Sequence, residues 1–289
     1  MLRAFFGRHR TGSTWSRSIL ADATIALGLT TLTVHVPEQW DGYATIGDKV
    51  RAEKPDVLVM TNCRQEDFDS LPPLVGLNVI RDPRDIIVSG YFSHLHSHPE
   101  KLFGITFTNL VEHRKALKEL SEDEGLYREI EFSGLFLDPM SAWNYANPGV
   151  LELRMEEILA DTRGSWDRAL RHLGLVVPAK GERLRTAAFH WNLAPRRRTP
   201  KPLALARRVL PRAPLHALPS TYVDSAVNRF TFAKMSKGRQ PGQVDVTSHY
   251  RRGIPGDWPD HLTDDHLKAI SARYGDLVER LGYGATQQR

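Results

Sequence analysis

The chain has 289 residues, 41% apolar and 25% charged, with 39 basic and 34 acidic side chains for a net charge of +5. This is globular composition with room for a sizeable core, and it excludes a disordered or collagen-like chain. The one cysteine, Cys63, excludes an intrachain disulfide, and the small basic excess suits an anionic ligand without calling for nucleic acid.

In chain order, Leu2 to Phe6 is a short apolar run that predicts a buried strand. A polar loop bracketed by Gly7 and Gly12 follows, and then Trp15, Ile19, Leu20, Ala23 and Leu27 at helical spacing. Val57–Met60, Leu77–Ile80 and Val150–Leu153 predict further strands, each ending in polar residues. Helical patterns cover 85–93, 107–120, 140–146, 156–173 and 263–282, the last with Leu267, Ile270, Tyr274, Leu277 and Leu281 as its core stripe. Apolar runs alternating with helices imply a single α/β domain over 1–289, with a central parallel sheet flanked by helices. Ligands of such sheets bind beyond the carboxyl ends of the strands. The acid-free stretch 195–219 predicts a basic insertion or lid loop. No targeting segment is visible, and no apolar run approaches the roughly 20 residues of a membrane span, so a cytoplasmic protein is expected.

The loop after the first strand has the glycine spacing of the phosphate loop GxxxxGK[ST], with Ser13 in place of the lysine. Its remaining features still make an anion cradle. Backbone N–H groups at a helix start, the hydroxyls of Thr11, Ser13 and Thr14, and the cation Arg10 all favour negative charge.

Arg10-Thr11-Gly12-Ser13-Thr14-Trp15 resembles the 5′-phosphosulfate loop of the sulfotransferases that use 3′-phosphoadenosine-5′-phosphosulfate (PAPS), usually Lys-Ser-Gly-Thr-Thr-Trp. Ile80 to Phe92 is similar to that family's 3′-phosphate segment, in which an arginine and a serine eight residues on bind the phosphate; here they are Arg81 and Ser89. Tyr250 to Trp258 is similar to its Arg-Lys-Gly-x-x-Gly-Asp-Trp segment, with Arg251, Arg252 and Gly253. Thr231 and Phe232 match a position where a hydroxyl and an aromatic flank the nucleotide, so that Phe232 and Trp15 would sandwich the adenine. The motifs fall in family order from residue 5 to residue 283. The resemblance implies a P-loop-like nucleotide-binding fold, PAPS as co-substrate, no metal, and transfer of the sulfuryl group to a hydroxyl or amine of a small-molecule acceptor.

Two departures stand out. Met155 replaces the tyrosine of the family's Arg-Tyr-Glu-Asp segment, and Asn62 stands where many members carry a general-base histidine. An amide does not take up a proton at a useful rate. Glu38 is the first choice for a substitute base and His35 the second. His94, His96 and His98 alternate, with no cysteine or paired acid beside them to suggest a metal, and His94 is a candidate for the acceptor pocket. That pocket is expected from 35–43, 91–108 and 190–225. The acceptor is the expected partner, with a homodimer left open; nucleic acid and stable membrane insertion are not expected. Two other readings stay open, a P-loop kinase or NTPase and a PAPS-binding module that has lost catalysis.

Overall fold

The computed structural model describes residues 1–102, 104–177, 180–194 and 201–284. The chain packs into two compact units. One holds Met1–Arg8, Gly12–Val79 and Asn144–Thr231; the other holds His9–Thr11, Ile80–Trp143 and the chain from Phe232.

Seven strands occur among the described residues: β1 (Leu2–Gly7), β2 (Thr31–Val34), β3 (Val57–Thr61), β4 (Leu74–Ile80), β5 (Lys101–Leu102), β6 (Ile105–Thr106) and β7 (Val150–Arg154). Five of them form the sheet of the first unit, in the order β2-β3-β1-β4-β7. β1 lies at its centre, parallel to β3 and β4, with Phe5 level with Val59 and Leu77. A central strand is buried on both faces, which is why Leu2 to Phe6 reads as a continuous apolar run. Phe5 joins the core beneath helix α1 (Ser13–Leu27), with Ile19, Leu20, Ala23, Trp166 and Tyr222. Phe6 points to the other face and meets the edge of Phe68, ring centroids 5.5 Å apart. The α/β class with a central parallel sheet flanked by helices, expected from the sequence, is what the chain forms.

In the second unit, helix α4 starts at Pro83 and runs to Phe92, and a π-helical turn carries it on through Ser93–Ser97. It packs against Glu122–Phe132, which in turn packs against Asp264–Tyr274. Ile86, Ile87, Leu126, Ile130 and Ile270 are buried there. No helix among the described residues is long and apolar enough to cross a membrane.

The structure corrects several sequence expectations. The helix placed at 140–146 lies earlier, at Gly134–Ser141, with Pro139 inside it. The span 156–173 is two helices, Met155–Ala160 and Thr162–His172, because the Asp161 side chain caps the second by accepting from the Gly164 N–H at 2.8 Å. The span 263–282 breaks at Gly275, whose φ of +61° suits glycine, into Asp264–Tyr274 and Leu277–Arg280. Of the expected lid loop, 195–200 lies outside the described residues. Lys201–Val209 is helical, and Leu215 and Leu218 enter the core of the first unit rather than a loop surface.

Candidate functional site

On the first unit, the loop between β1 and α1 is closed by its own atoms. Ser13 Oγ donates to the Arg8 carbonyl at 2.6 Å. A Cβ at Gly7 would lie 2.8 Å from that oxygen, so the close turn requires glycine there. Ser13 therefore ties the loop to its start. Arg8, which sequence reasoning passed over, is fully buried: Nε donates to Asn78 Oδ1 at 3.2 Å and a terminal nitrogen to the Cys63 carbonyl. Asn78 in turn donates to Glu152 at 2.6 Å. Burial pushes the Arg8 guanidinium below its ordinary value, and the Glu152 charge partly offsets this.

Gly12 is the N-cap of α1, with φ 74°, and no side chain caps that helix start. The first-turn N–H groups of Ser13, Thr14 and Trp15 thus carry the positive end of the helix dipole. Met155, the residue that replaces the expected tyrosine, packs its thioether against Gly12; a Cβ there would lie 2.9 Å from Cε. Trp15 sits edge-on to Trp166, centroids 6.1 Å apart.

The carboxyl ends of β2 and β3 on the same unit carry His35 and Asn62. His35 Nδ1 pairs with Thr61 Oγ1, and its backbone N–H donates to Gln39 at 2.6 Å. Burial and the Arg17 charge push the His35 ring down to about 4, so it is neutral at pH 7. Asn62 has φ 54°, and its N–H donates to the Gly7 carbonyl at 2.8 Å. Asparagine is among the few non-glycine residues suited to that left-handed backbone. Glu38 is exposed, on the short helical turn Pro37–Trp40. Thr231 is the last residue of this unit.

The cations belong to the second unit. Arg10, at φ 60°, donates through Nε to Ser89 Oγ at 2.9 Å and through a terminal nitrogen to Ser93 Oγ at 3.1 Å. Arg81 donates to the Arg10 carbonyl at 3.1 Å and pairs with Asp85 at 3.3 Å. Thr11, between the loop cation and the helix start, is fully buried. Burial and the neighbouring Arg81 charge push Arg10 down to about 10, which leaves it charged at neutral pH.

Asp85 ties the C-terminal motif to this group. Its carboxylate accepts from the backbone N–H groups of Gly256 at 2.7 Å, Asp257 at 2.8 Å and Trp258 at 3.0 Å. Arg251 and Arg252 both pair with the buried Asp257, and Arg251 lies over the Phe92 ring at 4.5 Å. Gly253 has φ 74° and faces the Phe232 ring so closely that a Cβ would lie 2.3 Å from it. The unit thus brings together Arg10, Arg81, Ser89, Arg251, Arg252, Gly253 and Phe232, and adds Ser93, Asp85 and Asp257. Arg81 pairs with Asp85, and Arg251 and Arg252 with Asp257, while Arg10 bonds to the two serines, a set of cations that suits an anionic ligand.

Beside Arg10 lies a buried cluster that the sequence reading had only in part. His94 Nδ1 is 3.0 Å from both oxygens of Glu129, and His113 Nε2 is 2.8 Å from Oε2. Ser133 Oγ donates to Oε1 at 3.0 Å, and His94 Nε2 is 3.0 Å from His9 Nε2. Glu129 is the acid that the run of histidines lacked in sequence; it lies 35 positions beyond His94, on another helix. His96 is exposed.

No family model matches the chain, and no curated protein matches it. Among solved structures it is similar to a mouse sulfotransferase complexed with PAP, with 13% identity, a TM-score of 0.49 and coverage of 96% of this chain and 84% of that one. It is also similar to a retinol dehydratase in complex with androsterone and inactive cofactor PAP, with 15% identity, a TM-score of 0.47 and coverage of 100% and 82%. The same enzyme in a complex with retinol and PAP gives 14% identity, a TM-score of 0.45 and coverage of 100% and 82%.

Proposed function

We propose that the protein is a sulfotransferase that binds PAPS and moves its sulfuryl group to a hydroxyl or amine of a small acceptor. The observation that carries the reading is the gathering of Arg10, Arg81, Ser89, Arg251 and Arg252 on one unit, from three distant stretches of chain linked through Asp85. Those are the residues that the sequence resemblance assigns to the nucleotide's phosphates. A 3′-phosphate with nearly two negative charges suits Arg81, Ser89, Arg251 and Arg252, which position the nucleotide and distinguish it from adenylate. Arg10 suits the charge that builds on the 5′-phosphate as the sulfur–oxygen bond breaks. The sequence resemblance is the support for Phe232, Trp15 and Thr231 as adenine contacts.

In the displacement, the acceptor oxygen attacks sulfur in line with the bridging oxygen of the leaving nucleotide and gives up its proton. His35, anchored by Thr61, is better held than the exposed Glu38, but a ring with a pKa of about 4 is a weak base. A kinase reading lacks its loop lysine, and Ser13 spends its hydroxyl on the loop itself. The reading of a binding module without catalysis rests on Asn62, whose residue type the left-handed backbone at that strand end accounts for.

Calorimetric titration with PAP and with adenylate tests the reading. The protein is expected to bind PAP at least about tenfold more tightly, the effect of one or more charge-assisted hydrogen bonds to the 3′-phosphate. Equal affinities would overturn the assignment.

A further inference from the structure

We infer that His94, His113 and Glu129 form a binding site for a divalent transition metal of the zinc type, which staples three helical segments of the second unit together beside Arg10. The site does not depend on the sulfotransferase reading, and the ion has no step in the proposed transfer.

Among the described residues, these are the metal-ligating side chains that converge, with one donor atom from each lying within 4.8 Å of the other two. They come from three segments: His94 from the π-helical turn Ser93–Ser97, His113 from Thr108–Leu117 and Glu129 from Glu122–Phe132. Packing between helices, not proximity along the chain, brings them together. The donors are His94 Nδ1, His113 Nε2 and Glu129 Oε2, the oxygen lying 3.0 Å from the first nitrogen and 2.8 Å from the second. The ligands of a tetrahedral zinc, at bond lengths of about 2.0–2.2 Å, lie about 3.3 Å apart, so these two contacts open by about 0.3–0.5 Å to admit the ion.

Charge favours the ion. Glu129 is fully buried, and the His94 and His113 side chains are 1% and 3% exposed. A buried carboxylate needs a positive partner, and a neutral imidazole gives it only a hydrogen bond. A divalent cation supplies that charge, and both rings then bind it as neutral ligands. The outer contacts suit this state. Ser133 Oγ donates to Oε1 at 3.0 Å, on the side of the carboxylate away from the metal-binding oxygen. The ion on Nδ1 leaves His94 Nε2 to its contact with His9 Nε2 at 3.0 Å. His113 stacks on Phe132 at 3.8 Å and His94 meets the same ring edge-on at 5.1 Å, so both imidazoles are held in orientation. Gly90 makes room for the carboxylate: a Cβ there would lie 2.5 Å from Glu129 Oε1.

Two nitrogens and one oxygen suit zinc rather than magnesium or calcium, which take oxygen donors. Iron(II) uses the same donor set but keeps several positions open for its co-substrates, and ligands buried this deeply favour a four-coordinate ion with one water. The ion also bears on the phosphate-type residues. Ser93, the neighbour of His94, accepts from Arg10 at 3.1 Å. Fixing His94 therefore fixes the turn that holds the loop cation.

The test uses the full chain without a histidine tag, stripped of metal and titrated with zinc chloride against a chromophoric chelator. One equivalent is expected to bind. Affinity should fall about 100-fold or more in Glu129→Gln and in His113→Asn, and about tenfold in Ser133→Ala, which loses the bond to Oε1. His96→Ala, whose ring is exposed, should bind as the parent does. X-ray absorption of the zinc-loaded parent should show two imidazoles and a carboxylate oxygen around the ion, a reading that needs no variant to fold. Less than one equivalent bound, an affinity unchanged in both ligand variants, an imidazole count other than two, or iron(II) displacing zinc would each overturn the inference. A chain that holds zinc but not PAP would keep this site and overturn the sulfotransferase reading; one that holds PAP but not zinc would do the reverse.

Discussion

Arg81 is the residue whose loss separates two kinds of ligand. Its guanidinium leaves the end of β4, holds the Arg10 carbonyl and pairs with Asp85. Replacing it with alanine removes charge-assisted hydrogen bonds worth about 2–3 kcal/mol, so PAP affinity should fall about 30- to 150-fold. Adenylate affinity should change less than about threefold; equal losses in paired titrations would count against the 3′-phosphate role. Gly253 is a second sharp position. Gly253→Ala forces a left-handed alanine and drives its Cβ into the Phe232 ring, at a cost of about 1–3 kcal/mol. Urea unfolding should detect the loss, and PAP affinity should fall with it as the ring moves.

At the scale of elements, the Asp85 carboxylate of α4 holds the segment from Arg251 to Trp258, beside the contact of Arg251 with the Phe92 ring. Asp85→Asn keeps the shape but puts an amide nitrogen where an acceptor is needed, against three backbone N–H groups and Arg81. A cost of about 3 kcal/mol is expected, as for breaking a buried charged network. Hydrogen exchange at Gly256, Asp257 and Trp258 should accelerate before exchange in the core of α4 does; unchanged protection would show that the loop is held by other means. How far the elements were legible follows from their burial. β1, β3 and β4 are apolar runs because neighbours cover both faces, so the sequence announces them. β2, a half-exposed edge of Thr-Leu-Thr-Val, carries no such run and went unseen. Helix breaks at Asp161 and Gly275 depend on one cap and one left-handed glycine, signals too local to interrupt a periodic stripe. The arginines that gather on the second unit were legible because loop, strand end and C-terminal motif each pair arginine with glycine, serine or proline in a fixed pattern. Glu129 was not, since its partners are joined by packing between helices and by no spacing along the chain.

For the whole molecule, the histidines set the response to acid. Burial lowers His35 and His98 to about 4, and lowers His9 well below its ordinary value. The unfolded chain takes up these protons near pH 6.5 and the folded chain does not. Stability is therefore fully present above about pH 6.5 and is lost as pH falls toward 4, and the depressed carboxyl of Glu129 adds a further loss below its ordinary value of 4.5. The urea midpoint should drop steadily across this window, and His98→Ala should flatten the slope. A midpoint independent of pH between 6.5 and 4 would contradict the half-buried, neutral state of these rings. Cys63 gives the molecule a different use. Its thiol is fully buried, burial pushes its ionisation well above the ordinary thiol range, and its sulfur faces the Arg64 carbonyl. Since the chain has no second sulfhydryl, the native protein is chemically silent to maleimide dyes while folded. A cysteine placed at exposed His96 would then take a fluorophore at one site only, giving an optical reporter beside the histidine cluster without first deleting the natural thiol.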